Sequence, residues 1–306
     1  MPLRSLAGLR VGVFGKGGSG KSTVVVLLAR ALRERGYGVL VLDADSTNVG
    51  LAQALGLAGE PDPLLDYFGG MVFSGGAVTC PVDDPTALAG ARLSLAAFPP
   101  RYVGQSPDGV NLLVAGKLGT LGPGAGCDGP IAKIARDLQV SDIGPAGVTL
   151  VDFKAGFEDS ARGAVTSLDW ALVVVDPTPA ALRMARDLHR LVTQMHAGVP
   201  PAVRHLERTD LQSLAISLFR EAPVRGVLAV LNRVPDRATE TYLRAALEPD
   251  GPTVIGVLAE DPSVREHWLR AEPVVSAALG DAVVRMAETL EACSGTSAGC
   301  AHSRSR

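Results

Sequence analysis

The run Gly15-Lys16-Gly17-Gly18-Ser19-Gly20-Lys21-Ser22-Thr23 restricts this chain more than any other stretch of it. Gly15 to Ser22 fits the pattern G-x-x-x-x-G-K-[ST]. Its glycines let the backbone curl until successive N–H groups face phosphate oxygens. Leu9 to Phe14, just ahead, reads as a buried strand, and Ser22 to Arg35, just behind, as a helix. A strand–loop–helix unit sets the positive end of a helix dipole beneath the phosphates. On this reading Lys21 pairs with the β- and γ-phosphates and the Ser22 hydroxyl ligates Mg²⁺. The chain is expected to bind a nucleoside triphosphate.

The rest of the sequence is consistent with that unit. Apolar β-rich runs alternate with segments of helical periodicity, the pattern of a mostly parallel sheet covered by helices on both faces. The expected strands are Leu9–Phe14, Gly38–Leu42, Val110–Val114, Val148–Asp152, Ala171–Val175, Gly226–Leu231 and Pro252–Val257. Helices are expected over Ser22–Arg35, Ile131–Leu138 and Pro179–His196. The fold class is therefore α/β, one phosphate-loop domain over residues 1–290. Residues 59–109, dense in Gly and Pro, read as an insertion of loops and short helices. Residues 291–306 read as a flexible C-terminal tail.

Composition excludes several classes. The net charge is −3 and no long basic run is present, so no nucleic-acid surface is expected. Aromatics make up only 4%, leaving few rings for base stacking. No apolar run approaches ~18 residues and the N-terminus enters a strand directly, so neither a membrane span nor a leader is expected. Four cysteines (Cys80, Cys127, Cys293, Cys300) are too sparse for a disulfide framework. A cytoplasmic, reducing setting follows.

In parallel sheets, ligand-facing groups stand at the carboxyl ends of strands. A strand ending Val41-Leu42-Asp43 runs into Ala44-Asp45, and Gly147 to Asp152 forms a second apolar strand ending in Asp. Asp43, Asp45 and Asp152 are thus candidates for the Mg²⁺ shell beside Ser22 and for orienting an attacking water. A later strand, Val227 to Leu231, delivers Asn232 and Arg233. The Asn232 amide offers a donor and an acceptor to a base edge.

Lys16 has no task within one subunit of an ordinary phosphate loop. The form Lys-Gly-Gly-x-Gly-Lys-[Ser/Thr]-Thr resembles the deviant Walker A loop of the MinD, ParA, nitrogenase iron protein and CooC group. The resemblance implies an ATPase in which Lys16 reaches across an ATP-dependent homodimer to the partner's nucleotide, so that Lys16, Lys21 and Asp45 carry catalysis. It implies that Gly15, Gly17, Gly18, Ser19, Gly20, Lys21, Ser22 and Thr23 hold the phosphates of ATP with Mg²⁺. Asn232-Arg233-Val234 is similar to the group's adenine contact. Gly256 to Pro262 resembles the run that packs by the adenine, with Ala259 replacing a proline, and implicates Leu258, Asp261 and Pro262. Ser46 replaces the usual proline of switch I, after Asp45.

Asp152-Phe153-Lys154-Ala155-Gly156-Phe157-Glu158-Asp159 is similar to switch II of the CooC-type ATPases, which insert nickel into carbon monoxide dehydrogenase. Lys154 and Asp159 depart from the usual pattern there. Gly119 to Pro130 resembles the turn in which that subgroup presents a Cys-x-Cys pair at its dimer interface. Here only Cys127 is present, since position 129 is Gly, and switch II carries no second cysteine for an iron–sulfur cluster. Two Cys127 thiolates across a dimer fall short of the four ligands usual for Zn²⁺. Nickel or zinc at that interface is the expected cargo, and a metalloenzyme the expected client. The other reading is a MinD/ParA-like positioning ATPase acting on membrane or DNA. It calls for a basic amphipathic C-terminal helix, whereas Asp281 to Cys293 is acidic on balance. Cys80, Cys293, Cys300 and His302 read as incidental, and His189, His196, His205 and His267 as surface residues.

Overall fold

The computed structural model describes residues 4–118, 128–157 and 163–295. Ten strands lie among them: β1 (Arg10–Gly15), β2 (Val39–Ala44), β3 (Arg92–Ser94), β4 (Gly104–Gln105), β5 (Asn111–Val114), β6 (Gln139–Ser141), β7 (Val148–Phe153), β8 (Trp170–Val175), β9 (Val227–Val234) and β10 (Thr253–Ala259). Eight of these form one sheet in the order β10-β9-β8-β1-β7-β2-β5-β4, while β3 and β6 pair separately. Every pairing in the large sheet is parallel except that of the short edge strand β4 with β5. Each expected strand is present, at nearly the expected bounds.

Continuous apolar runs suit strands that are covered on both faces. The side chains alternate strictly. In β2, Val39 and Val41 join one core layer while Leu40, Leu42 and Ala44 join the other. In β7, Val148 and Leu150 take the first layer and Val151 and Phe153 the second. The first layer is covered by α1 (Lys21–Glu34), α2 (Leu51–Leu55) and a late helix, α9 (Gly280–Gly295). The second is covered by α4 (Gly129–Asp137), α5 (Pro179–His196) and α7 (Arg237–Leu247). Three further helices are α3 (Leu64–Tyr67), α6 (Thr209–Arg220) and α8 (Pro262–Arg270). Phe14 and Phe153, on neighbouring strands, stack at 4.6 Å in the second layer.

Residues 59–109 consist of loops and short helical turns, with α3 and the short strands β3 and β4. Polar bonds from α4 hold them. Lys133 Nζ donates to Thr79 Oγ1 at 2.7 Å and to the Asp84 carboxylate at 3.1 Å. Arg136 reaches the carbonyls of Pro85 and Thr86, and Asp137 accepts the Leu88 N–H at 2.8 Å.

The expected tail boundary moves. Helix α9 runs through residues 291–295, and Cys293 is 2% exposed within the first core layer. Val283, Met286, Ala287, Leu290 and Cys293 recur at helical spacing and continue one buried stripe. Cys300 and His302 lie outside the described residues. His189 and His267, expected at the surface, are half-buried.

Candidate nucleotide site

Strand β1 lies at the middle of the sheet, between β7 and β8. The loop from Gly15 to Gly20 therefore opens at the carboxyl ends of several strands at once. Gly20 adopts φ +89° as the residue preceding α1, and a Cβ there would collide with the Asn232 amide. Only glycine fits both constraints. Asn232 Nδ2 donates to the Ser19 carbonyl at 2.7 Å, and Arg233 Nη1 to the Gly18 carbonyl at 2.7 Å. The end of β9 thus braces the phosphate loop from behind. With one N–H so engaged, Asn232 keeps its carbonyl oxygen and its second N–H for a base.

Ser22 opens α1 beside the carboxylates. Its hydroxyl donates to Asp152 Oδ2 at 2.6 Å and accepts from Asn48 Nδ2 at 2.8 Å. Asp43 and Asp152 are register partners on β2 and β7, both 0% exposed. Their alternation phase directs them to the α1 face, which brings two carboxylates together in a dry place. Burial pushes Asp43 up to about 7, with Lys117 working against the rise and Asp152 adding to it. Burial likewise lifts Asp152 to about 6 against Lys21 and the Ser22 hydrogen bond. Asp152 Oδ1 is buried with no hydrogen-bond partner. An orphaned acceptor beside a hydroxyl and a second carboxylate fits a divalent cation with its waters.

Asp45 follows β2 and borders the cleft. Its Oδ1 accepts from Thr47 N at 3.0 Å, Thr47 Oγ1 at 2.8 Å and Asn48 N at 3.1 Å, closing the start of switch I. Lys21 is 6% exposed and lines the cleft, whereas Lys16 is exposed and does not. The cleft holds about 610 Å³. Gly17, Gly18, Gly20, Ser22 and Thr23 wall one side, Asn232 and Arg233 another, and Ala259, Asp261 and Pro262 a third. Asp261 caps α8 through the Ser263 N–H at 2.9 Å.

One expected contact is corrected. The Leu258 side chain is fully buried in the first core layer, because strand alternation turns it to the α1 face, and Ala259 borders the cleft instead. Gly15 and Ser19 are buried within the loop and do not line the cleft. Cys127, Glu158 and Asp159 lie outside the described residues. Lys154, the departure in switch II, pairs with Asp128 at 2.6 Å.

Sequence reasoning missed several residues here, Lys117 and Trp268 among them. Lys117, just past β5, bonds Asp43 at 2.6 Å. Trp268, on α8, donates to Thr23 Oγ1 at 2.9 Å and lines the cleft. A lone lysine after an apolar strand was the available signal for the first. For Trp268 there was none, since α8 meets α1 only through the fold.

A parallel sheet with a glycine loop at its centre, two buried carboxylates and a base-sized cleft defines a phosphate-loop nucleotide-binding domain. The chain belongs to the family described as the CobQ/CobB/MinD/ParA nucleotide binding domain, whose model matches residues 13–274. It is 29% identical over 185 residues to an uncharacterised ATP-binding protein of Methanocaldococcus jannaschii, covering 60% of this chain and 73% of that one. It is also 29% identical over 202 residues to the carbon monoxide dehydrogenase accessory protein CooC of Rhodospirillum rubrum, covering 61% and 70%. In fold it is similar to the septum site-determining protein MinD of Pyrococcus horikoshii, solved with Mg-ADP. That match has a TM-score of 0.59 at 17% identity over 94% of this chain and 97% of that one.

Proposed function

We propose that this chain is an ATP-hydrolysing switch that dimerises on ATP and serves a client metalloenzyme, in the manner its likeness to CooC suggests. The observation that carries the reading is the split between the two loop lysines. Lys21 is drawn into the cleft, while Lys16, five residues earlier, stands exposed and outside it. A cation aimed outward from the loop suits a second nucleotide held by a second copy. In this reading Lys21 and the loop N–H groups hold the β- and γ-phosphates. Asp45 orients the attacking water from the mouth of switch I, and Lys16 of the partner neutralises charge at the transferred phosphoryl group. Asn232 and the segment Ala259–Pro262 hold the adenine. Ser22, Asp43 and Asp152 would hold Mg²⁺, which supplies charge neutralisation at the phosphate oxygens when bound. The single thiol we assign to cargo is Cys127, two copies of which would face nickel or zinc at the interface.

Light scattering with ATP on wild type, Lys16→Ala and Asp45→Ala tests this, with metal content measured for each peak. The expected result is an ATP-dependent dimer that Asp45→Ala traps and Lys16→Ala abolishes. Nickel or zinc should co-elute with the trapped dimer and be lost in Cys127→Ser. A protein monomeric in all three forms would remove the trans-lysine role. Co-sedimentation with liposomes or DNA in ATP would favour a positioning ATPase instead.

A further inference from the structure

Beyond the residues that touch nucleotide in the reading above, the structure carries a lysine bound to switch I from below. Lys117 Nζ donates to Asp43 Oδ2 at 2.6 Å, to the Asp45 carbonyl at 2.8 Å and to the Asn48 carbonyl at 2.7 Å. Its side chain is 12% exposed and Asp43 is 0% exposed. An ammonium has three protons and no acceptor, so these three bonds use its full capacity. Glu60, from the insertion, stands 3.9 Å away. Strand β2 pairs with β5 on one side and β7 on the other, so Lys117 and Asp152 approach Asp43 from opposite sides. The next bond in the chain is Asn48 Nδ2 to the Ser22 hydroxyl, followed by Ser22 to Asp152.

We infer that Lys117 is a positioning residue for the metal–nucleotide site: it holds Asp43 aimed at the Ser22–Asp152 pair and fixes the switch I backbone at Asp45 and Asn48. Such a cation balances the Asp43 carboxylate, which otherwise stands buried beside Asp152. Loss of one partner of a buried pair leaves a charge that must be neutralised or moved. It also joins the strand end carrying the carboxylate to the loop carrying the water-orienting residue, so both arrive as one piece. Lys117 does this without touching the phosphates, which separates its effect from that of Lys21. The inference rests on the site binding a magnesium nucleotide.

The test titrates Mg²⁺ at fixed fluorescent ATP analogue in wild type, Lys117→Met and Lys117→Arg, with a parallel nucleotide titration in EDTA. Amide hydrogen exchange over residues 45–50 is followed in the nucleotide-free proteins. Lys117→Met should raise the Mg²⁺ concentration for half-saturation by roughly tenfold or more while nucleotide affinity in EDTA stays within about twofold. Exchange over residues 45–50 should accelerate to a similar degree, and Lys117→Arg should recover part of both. If Lys117→Met does not fold, Asp43→Asn/Lys117→Met removes both charges at once, and is compared with Asp43→Asn alone. The second substitution should then add little to the Mg²⁺ requirement, because the aspartate it positions is gone. A folded Lys117→Met with unchanged Mg²⁺ dependence and exchange overturns the inference while leaving the nucleotide reading intact. Wild type that fails to bind the magnesium nucleotide overturns both.

Discussion

Asn232 and Gly20 show how closely the phosphate loop depends on a strand more than two hundred residues away. Gly20→Ala faces both a positive φ and the Asn232 amide. It is expected to destabilise the protein by about 1–3 kcal/mol in chemical denaturation and to weaken nucleotide binding by roughly tenfold or more. Asn232→Ala strips the buried Ser19 carbonyl of its donor, at about 1–3 kcal/mol, and should narrow the preference for ATP over GTP in competition binding. Much at this scale was legible in the sequence. Asp43 and Asp152 announce themselves because each ends an apolar strand, and parallel strands deliver their carboxyl ends to the ligand. Lys117 did not, because its partner follows from β5 lying beside β2, and strand order is not written in local periodicity. Leu258 failed for a related reason: the motif marks the segment, and only the alternation phase tells which side chain turns inward.

Helices α4 and α9 behave as clamps on opposite faces of the sheet. Lys133 and Arg136 of α4 tie down the loop from Thr79 to Thr86. Partial burial pushes the Asp84 carboxyl up, but hydrogen bonds from Thr86, Thr79 and Lys133 outweigh it and hold it at about 2. A carboxylate held below its unfolded value gives stability that is present above about pH 4 and lost as pH falls through about 2. Protection over residues 79–88, after correction for intrinsic exchange, should therefore fall between about pH 4 and 2, and Lys133→Met should blunt that dependence. On the other face, Leu290→Ala in α9 removes a fully buried side chain and is expected to cost about 2–5 kcal/mol in thermal or denaturant unfolding. The sequence pointed to an early fraying end because Ser294 and Gly295 are small and polar. The steps of four and three residues from Met286 through Leu290 to Cys293 make a short stripe, and it counts as a helix only once a sheet stands opposite to receive it.

Across the whole molecule, the two tryptophans occupy different worlds. Trp170 is 2% exposed in β8, whereas Trp268 lines the cleft against Thr23 and packs near Gly50, just before α2. ATP binding should change intrinsic emission, and Trp268→Phe should abolish that change while Trp170 continues to report global unfolding. The architecture as a whole was legible from alternating runs and one loop, because doubly covered parallel strands leave an unmistakable apolar record. Its left–right arrangement was not, and that arrangement has a consequence of its own. Strand β1 divides the sheet: β7, β2 and β5 lead to Asp152, Asp43, the loop from Asp45 to Asn48 and the insertion, while β9 and β10, beyond β8, lead to the cleft wall of Asn232, Arg233 and Ala259–Pro262. The two walls of the cleft are thereby wired to opposite wings of one board. Replacing residues 59–109, none of which lines the cleft, should leave the preference for one nucleotide over another, read by competition binding, where it was.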